Sequence, residues 1–574
     1  SQPATGDWDA PLNIGLSSSI EKATILWSRD SADAGGWGIW SPDDSITLYD
    51  TTTIWAMARL ARHRDSRIVR RTFNVREPAK PAELQAKITA NYTLPQGSRY
   101  QASECPELSA NVTFVLDSGA TLKLPEGCGV TVDNGATFEM RAGSTLIMGR
   151  GAHFYVGSST TGKLIVKGRV GRRARMVSAD PANPPGFSSD YLVKLLSNSS
   201  GSRIQGLDID GSSGDGIQLS DVEVDILDSR IRNCKGAGIR FLGDARPATD
   251  SGVRNDSISG CRWSVDASPY ALGRVATNPG FSDTVRIYDG TNVAENSSWK
   301  RQKLPLRAEA GISVENQSTL DLEAGLVLRM GASAHFYVNG GVLNSRGTRA
   351  APVRLEPANR TLGWGFGDGA GGYGIKFTST GTGEFRWTEI VGTNGNGVLA
   401  DGPVGMFDSR LDSNKYAGIL FAASGRTVDD TSFARIIAKG NRWSLAIPAA
   451  ALKGIATCPG FGDSILLTDD GSIAENNVWR SQRVPFVING FGITIDGDAS
   501  VRIDSGNTFV FGQGGHLYVG SGGGSLVVDG TSAHPVRFLA RTVAGWGFSP
   551  ASTTGYAIRF LSGTTAANLS HLVL

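Results

Sequence analysis

Cysteine is scarce in this sequence, five in 574 residues, and no two are spaced CxxC, which argues against a zinc knuckle or a thioredoxin-type redox pair. Net charge is also nearly missing. Lys+Arg 56 against Asp+Glu 54 leaves +2, so nothing draws the whole chain to nucleic acid or acidic lipid, and no nucleic-acid partner is expected. No apolar run approaches the ~18–20 residues of a membrane span, so no membrane insertion is expected either. HExxH, the P-loop, Gly-x-Ser-x-Gly and a GxGxxG in a βαβ setting do not occur. What is abundant is glycine. Its 74 positions are about 13% of the chain against a typical ~7%, while proline at 23 is ordinary, which excludes collagen and low-complexity disorder and calls for many turns. With 40% hydrophobic residues the chain can bury a large core, and at roughly 100–200 residues per domain it holds three or four domains or one long repeat array.

Self-comparison favours the array. His153-Phe154-Tyr155-Val156 recurs as His335-Phe336-Tyr337-Val338 and again as His516-Leu517-Tyr518-Val519, 182 and 181 residues on. Arg262-Trp263-Ser264 returns as Arg442-Trp443-Ser444, and Ala294-Glu295-Asn296…Trp299 as Ala474-Glu475-Asn476…Trp479, both offset by 180. The organisation expected is an N-terminal module or cap at 1–98, then units at 99–298, 299–478 and a partial 479–574.

Within each unit a shorter period of about 22 residues appears. Leu192-Val193-Lys194-Leu195, Gly216-Ile217-Gln218-Leu219 and Gly238-Ile239-Arg240-Phe241 step by 24 and 22. The alternation of apolar and polar residues puts one face inward on a pleated strand, and Asp, Asn, Ser and Gly clusters between the strands supply turns. Such short strands at that spacing predict an all-β fold, the coils of a parallel β-helix. A string of β-sandwiches is the alternative, but it would give no 22-residue step.

Asn441-Arg442-Trp443, Pro459-Gly460-Phe461-Gly462-Asp463, then Trp479 with Val484-Pro485-Phe486-Val487 and Gly492-Ile493-Thr494-Ile495 resemble the right-handed parallel β-helix repeat proteins of the pectate-lyase-like superfamily, of the long surface-repeat type. The resemblance covers about 117–574, and it implies an extracellular or cell-surface role rather than a reaction.

Residues 1–98 lack the period. Thr51 to Arg64 places Ile54, Met57, Leu60 and Ala61 on one helical face and predicts a short amphipathic helix there, fit to cap the first coil. A faint resemblance to a carbohydrate-binding jelly roll runs through Trp40-Ser41-Pro42 and Arg70-Arg71-Thr72-Phe73-Asn74-Val75.

Candidate chemistry is thin. The polyuronide hydrolase pattern of that superfamily is missing, as is an Arg-x-x-Pro-x-x-Arg lyase element, so no catalytic residue is assigned. The carboxylate pairs Asp43-Asp44, Asp429-Asp430 and Asp469-Asp470 are adjacent residues, which point to opposite faces of a strand. His153, His335 and His516 occupy equivalent places. At roughly eight coils per unit and ~4.8 Å per coil they lie nearly 40 Å apart, too far to share a metal, so each is expected to hydrogen-bond a turn. Trp263, Trp443, Trp299 and Trp479 are expected in the core or at seams. Cys105 with Cys128 and Cys234 with Cys261 are candidate disulfides, with Cys458 left over, if the compartment is oxidising. No cofactor is expected; a structural Ca2+ is admissible, though nothing indicates one.

The chain begins Ser1-Gln2-Pro3 without a methionine or an apolar leader, as a processed chain would, which suggests secretion. The function expected is therefore a secreted, non-catalytic structural or adhesive protein. It would self-associate head to tail if Leu572-Val573-Leu574 and Ser1-Gln2-Pro3 are assembly ends, and surface glycans or polysaccharide are candidate partners. The alternatives are a polysaccharide lyase, hydrolase or epimerase on the same scaffold, and a phage-type tailspike or carbohydrate-binding protein.

Overall fold

The computed structural model describes residues 7–9, 12–20, 22–28, 37–40, 46–48, 52–61, 63–76, 81–288, 290, 292–293, 295–422, 432–468, 471–520, 522–542, 545–548 and 555–574. Ser1, Gln2 and Pro3 and all three adjacent-aspartate pairs lie outside them. The chain divides into two compact units: Ser1–Phe187 with Gly201–Gly211 and Asp228–Arg230, and Ser188–Ser200 with Ser212–Leu227 and Ile231–Leu574.

The first unit opens with a two-sheet module. Thr52–Arg59 is a strand, not the helix its 3.6-residue spacing suggests; it pairs antiparallel with Thr24–Ser28 and Val69–Arg76. The β-branched and aromatic run Thr52-Thr53-Ile54-Trp55 fits a pleated surface better than a helix. Leu12–Ile14 pairs antiparallel with Ile46–Leu48, and the two sheets bury Ile14, Trp40, Ile46, Leu48, Ile54 and Val75.

Coiling begins earlier than residue 99. Ala82–Glu83 already pairs in parallel with Tyr100–Gln101, so the first coil lies inside the segment that the sequence assigned to the module. Its strands of two or three residues are too short to carry a visible period. Thereafter each coil contributes three short parallel strands, and inward residues stack on their counterparts one coil away. The Tyr92, Phe114 and Phe138 rings form such a column, with centroids 6.1 and 5.3 Å apart, and Phe154 from another face of the coil meets Phe138 edge-on at 4.9 Å. Each wholly buried Leu, Val or Phe contributes about 1.5–3 kcal/mol, which holds so glycine-rich a chain in register.

In the second unit the chain visits three faces in rotation. Starting at Trp263–Ala267, one face adds Val285–Ile287, Leu306–Ala308, Val327–Met330, Val353–Pro357, Thr388–Val391, Arg410–Asp412 and Ile437–Lys439, seven turns in all. Trp443, the repeat partner of Trp263, comes not on that face but in the following strand, Trp443–Ile447, on the next. The repeat is therefore seven and one-third turns, not eight, and each copy is rotated by one face. His335 and His516 show the same step: Phe336–Asn339 lies in one sheet, His516–Val519 in the sheet that follows it around the coil.

Helix is confined to Pro269–Leu272 and the 3-10 segments Ser197–Ser199 and Ala449–Gly454 among the described residues. None is long and apolar enough to cross a membrane.

Candidate functional site

The two copies of the repeat differ most on their outward rows. From the first copy into the start of the second, residues in register across successive coils are Lys194, Gln218, Arg240, Asp266, Arg286, Arg307 and Arg329. One repeat further on, from the second copy into the third, the corresponding row reads Lys376, Leu399, Leu420, Ala446, Leu466, Val487 and Val510. Where one row is charged the other is mostly apolar, and Ala446, Leu466 and Val487 pack with Trp443 into a small buried cluster.

The charged row pairs largely with itself, although Gln218 Oε1 and Arg240 Nε are buried without a hydrogen-bond partner. Asp266, 2% exposed, accepts two hydrogen bonds from Arg286 at 2.7 and 2.6 Å. Arg240 reaches between Asp266 at 3.4 Å and Asp215 at 3.5 Å. Gln218 donates to Asp215 and to Asp190, both at 3.2 Å. Burial pushes the Asp215 carboxyl above the usual carboxylate range, although the Ala237 N–H, Arg240 and Gln218 act against that rise.

Beside this row, where the chain turns off its strands, lie two hollows of about 550 and 460 Å³ that share one wall, Tyr270. The first is lined by Asp221, Glu223, Asp244, Arg246 and Asn292, the second by Asp250, Arg274, Glu295, Ser297, Lys300 and Asp321. Local sequence explains the ring's position. Pro269 starts a single helical turn in place of a strand, and the Ser268 hydroxyl caps it by accepting from the Ala271 N–H at 3.3 Å, which turns Tyr270 outward. Arg246 stacks on one face of the ring, 4.3 Å from its centroid, and pairs with Glu223. Arg274 pairs with Glu295 at 3.1 Å. Asp221 sits at φ 53° directly after its strand and accepts the Asp244 N–H at 3.0 Å. Only glycine fits between them, since a Cβ on Gly243 would meet Asp221 Oδ1 at 2.0 Å.

Of these lining residues only Glu295 stood out in the sequence, as part of a repeat landmark and not as a site residue. A position-by-position comparison of the copies would have found Tyr270, whose counterpart is Ala450, and the charged row likewise.

The residues that did stand out lie away from the hollows. His153, His335 and His516 each donate from Nδ1 to the carbonyl two residues earlier, at 3.0, 2.8 and 2.8 Å. Their repeat spacing of seven and one-third turns amounts to about 35 Å. Trp299, Trp479 and Trp443 are buried, and Trp263 is half-buried with the Arg286 guanidinium 5.1 Å over its ring. No group of three potential metal ligands occurs among the described residues. Leu572 and Val573 pair in parallel with Val536 and Arg537, and Leu574 is exposed.

Cys105 and Cys128 form a disulfide. Cys234 and Cys261 do not; both are buried thiols. They occupy the places of Asn414 and Asn441 in the second copy, which hydrogen-bond one above the other at 3.0 Å. The two thiols stack likewise, each turned toward the carbonyl two residues earlier, Arg232 O and Ser259 O at 3.7 Å. The Cys234 contact holds the Cys261 thiol below the usual range.

Parallel register between the coils, three faces visited per turn and almost no helix define an all-β parallel β-solenoid of about 18 turns, of the right-handed type. No family model matches the chain, nor does any curated protein sequence. Among solved structures it is similar to the catalytic unit of the thermostable GH87 alpha-1,3-glucanase from Streptomyces thermodiastaticus strain HF3-3, at 10% identity and a TM-score of 0.24, over 96% of this chain and 86% of that one.

Proposed function

We propose that this is an extracellular or cell-surface adhesive protein whose first repeat copy binds a polysaccharide chain in the double hollow around Tyr270, without cleaving it. One observation carries the reading: an aromatic ring stands between two polar hollows in one copy, and alanine replaces it in the other. Sugars are bound by rings that offer an apolar surface and by charged and amide groups that satisfy their hydroxyls, and both kinds converge here. The Cys105–Cys128 disulfide supports an oxidising compartment. Internal pairing of Asp215, Arg240, Asp266 and Arg286 supports a structural rather than catalytic use of the neighbouring row.

The test is retention on immobilised chitin, chitosan, mannan and polygalacturonate, with reducing ends and absorbance near 235 nm followed in parallel. Retention on at least one, reduced tenfold or more by Tyr270→Ala, is expected, with no product released. Retention that ignores Tyr270→Ala overturns the site.

A second reading, an enzyme, rests on Asp215 and Asp266. They flank one guanidinium, Arg240, at 3.5 and 3.4 Å, and burial raises the Asp215 carboxyl above the usual carboxylate range, as the acid of a carboxyl pair requires. Product release that is lost in Asp215→Asn would establish it.

A further inference from the structure

We infer that each copy of the repeat carries a further polysaccharide site, an exposed phenylalanine ledge (Phe187, Phe366 or Phe548) on which one sugar ring stacks, and that the ledges hold separate strands. The inference stands apart from the double hollow.

The second copy shows how a ledge is built. The Phe366 N–H donates to the Tyr373 carbonyl at 2.8 Å and the Tyr373 N–H to that of Phe366 at 3.0 Å. Their rings stack 5.3 Å apart at 26°, and His335 meets both edge-on at 5.3 and 5.6 Å. Tyr373 is buried beneath, whereas Phe366 is 55% exposed. In the third copy Phe548 and Tyr556 pair in the same way and stack at 5.3 Å and 25°, His516 stands edge-on to both, and Phe548 is 47% exposed. In the first, Phe187 lies 4.9 Å from His153 and is 46% exposed. Each phenylalanine follows a glycine, Gly186, Gly365 or Gly547, at φ 129°, 120° and 113°, a region closed to other residues. A Cβ on Gly365 or Gly547 would also meet the Tyr373 or Tyr556 carbonyl oxygen, at 2.6 and 2.7 Å.

Three features fit a sugar. The ledge is retained where its surroundings are not: the outward rows differ between copies and Ala450 replaces Tyr270, yet the half-exposed ring recurs, although an aliphatic residue would shield Tyr373 as well. Size is the second. Half of a phenylalanine side chain offers about 100 Å², far below the ~800 Å² each partner gives to a stable protein interface, and enough for one pyranose. The rim is the third, because it is polar. Lys376 holds its ammonium 5.8 Å from the Tyr373 ring centroid and lies in register above Tyr337, as Arg559 stands 5.3 Å over Tyr556 and in register above Tyr518. A fixed apolar plate bordered by hydrogen-bond donors suits a ring of hydroxyls. The ledges of the second and third copies belong to one compact unit, where seven and one-third turns set them about 35 Å apart along the coil and a third of a turn around it. One straight strand cannot lie on both, so the chain bridges two.

The experiment is native electrophoresis of the full chain through gels holding a soluble cellulose ether, a galactan or a mannan, at low and high salt, with light scattering of the same mixtures. At least one polymer should retard the unaltered chain, equally at both salts because stacking is not screened, and should raise the scattering through bridging. The triple change Phe187→Leu, Phe366→Leu and Phe548→Leu keeps an apolar cover but removes the flat rings, and should raise the apparent dissociation constant at least tenfold. The corresponding triple change to tyrosine should preserve binding. No retardation by any polymer, retardation that the leucines leave unchanged, or equal loss with leucine and tyrosine overturns the ledges. If Tyr270→Ala alone removes the retardation, the double hollow stands and the ledges fall; if only the leucines remove it, the reverse holds. Retardation without added scattering overturns the bridging. Salt response and scattering are read on the unaltered protein, so they decide even should a variant misfold.

Discussion

Asp266 and Ala446 occupy one position of the repeat, yet they lie on adjacent faces of the coil, because the repeat closes on seven and one-third turns. Duplication copied the sequence but rotated it. A stripe of like residues along one side cannot be extended in this way, so repeated binding sites would not line up to engage one surface together. Each copy can instead diverge on its own face, and the outward rows have done so: Gln218, Arg240, Asp266 and Arg286 against Leu399, Leu420, Ala446 and Leu466.

The divergence makes a prediction about stability. Asp266→Ala strips Arg286 and Arg240 of a shared buried partner and should cost about 3 kcal/mol, the usual penalty for breaking one side of a buried pair. Replacing the network together, Arg240→Leu, Asp266→Ala and Arg286→Leu, installs the residues of the second copy and should be near neutral or stabilising. Guanidinium denaturation followed by tryptophan fluorescence measures both. A triple variant less stable than Asp266→Ala alone would show that the charged row does more than pair with itself.

Asp215 gives a pH dependence of definite sign. Burial raises its folded pKa above the unfolded value of 3.8, so the folded state holds the proton more tightly and stability falls as pH rises through that window. Asn396 stands at the equivalent place and accepts the Ala417 N–H through Oδ1, just as Asp215 accepts the Ala237 N–H. Asp215→Asn should therefore raise the denaturation midpoint at pH 7, and the gain should vanish below pH 3.8. Asp408, held below the usual carboxylate range by Arg435, has the opposite sign and contributes stability that is lost as pH falls. A gain that persists unchanged in acid would rule out desolvation as its cause.

What was legible in the sequence follows from what repeats. Inward residues such as Ile217, Ile239 and Val265 are constrained by the coil above and below, so the ~22-residue step and the fold are written there. The Thr52–Arg59 strand was not, since Ile54 and Met57 satisfy a helical spacing as well as a strand and only pairing with Thr24–Ser28 decides. The hollow around Tyr270 was hidden for a different reason. Its lining comes from turns after separate strands, one coil apart each, and no local motif joins Asp221, Asp244 and Tyr270. The rotation by a third of a turn was equally hidden, because a residue count does not reveal that one strand of a coil is replaced by the helical turn at Pro269–Leu272.

The cysteines allow a chemical check. Thiol titration in denaturant should count three, Cys234, Cys261 and Cys458, with Cys105 and Cys128 silent. One thiol in place of three would mean that Cys234 and Cys261 are bridged in the native protein. Reduction of Cys105–Cys128 opens a loop of 23 residues and should cost about 3 kcal/mol on the chain-entropy account. Because stability in a solenoid is carried from coil to neighbouring coil, the loss should be local, read as faster amide exchange in Arg99–Gln101 and Gly129–Val132 and not in coils far along the chain.

The repeated histidines depend on glycines one coil earlier. A Cβ on Gly311 would lie 2.4 Å from the His335 ring, and Gly129 and Gly492 stand in the same relation to His153 and His516 at 2.8 and 2.3 Å. His335 is fixed on its other sides by Phe366 and Tyr373, with ring centroids 5.3 and 5.6 Å away, and by its Nδ1 bond to the Ser333 carbonyl, so it has little room to yield. Gly311→Ala should therefore cost about 2 kcal/mol, in the range of an overpacked site. In a His335→Ala background the same change meets no ring and should become neutral or gain about 0.5 kcal/mol, since alanine has less unfolded-state freedom to lose than glycine. A double-mutant cycle by denaturation isolates the coupling. Equal cost in both backgrounds would mean that the glycine answers to the backbone and not to the histidine, and the shared motif of the three copies would then need another explanation.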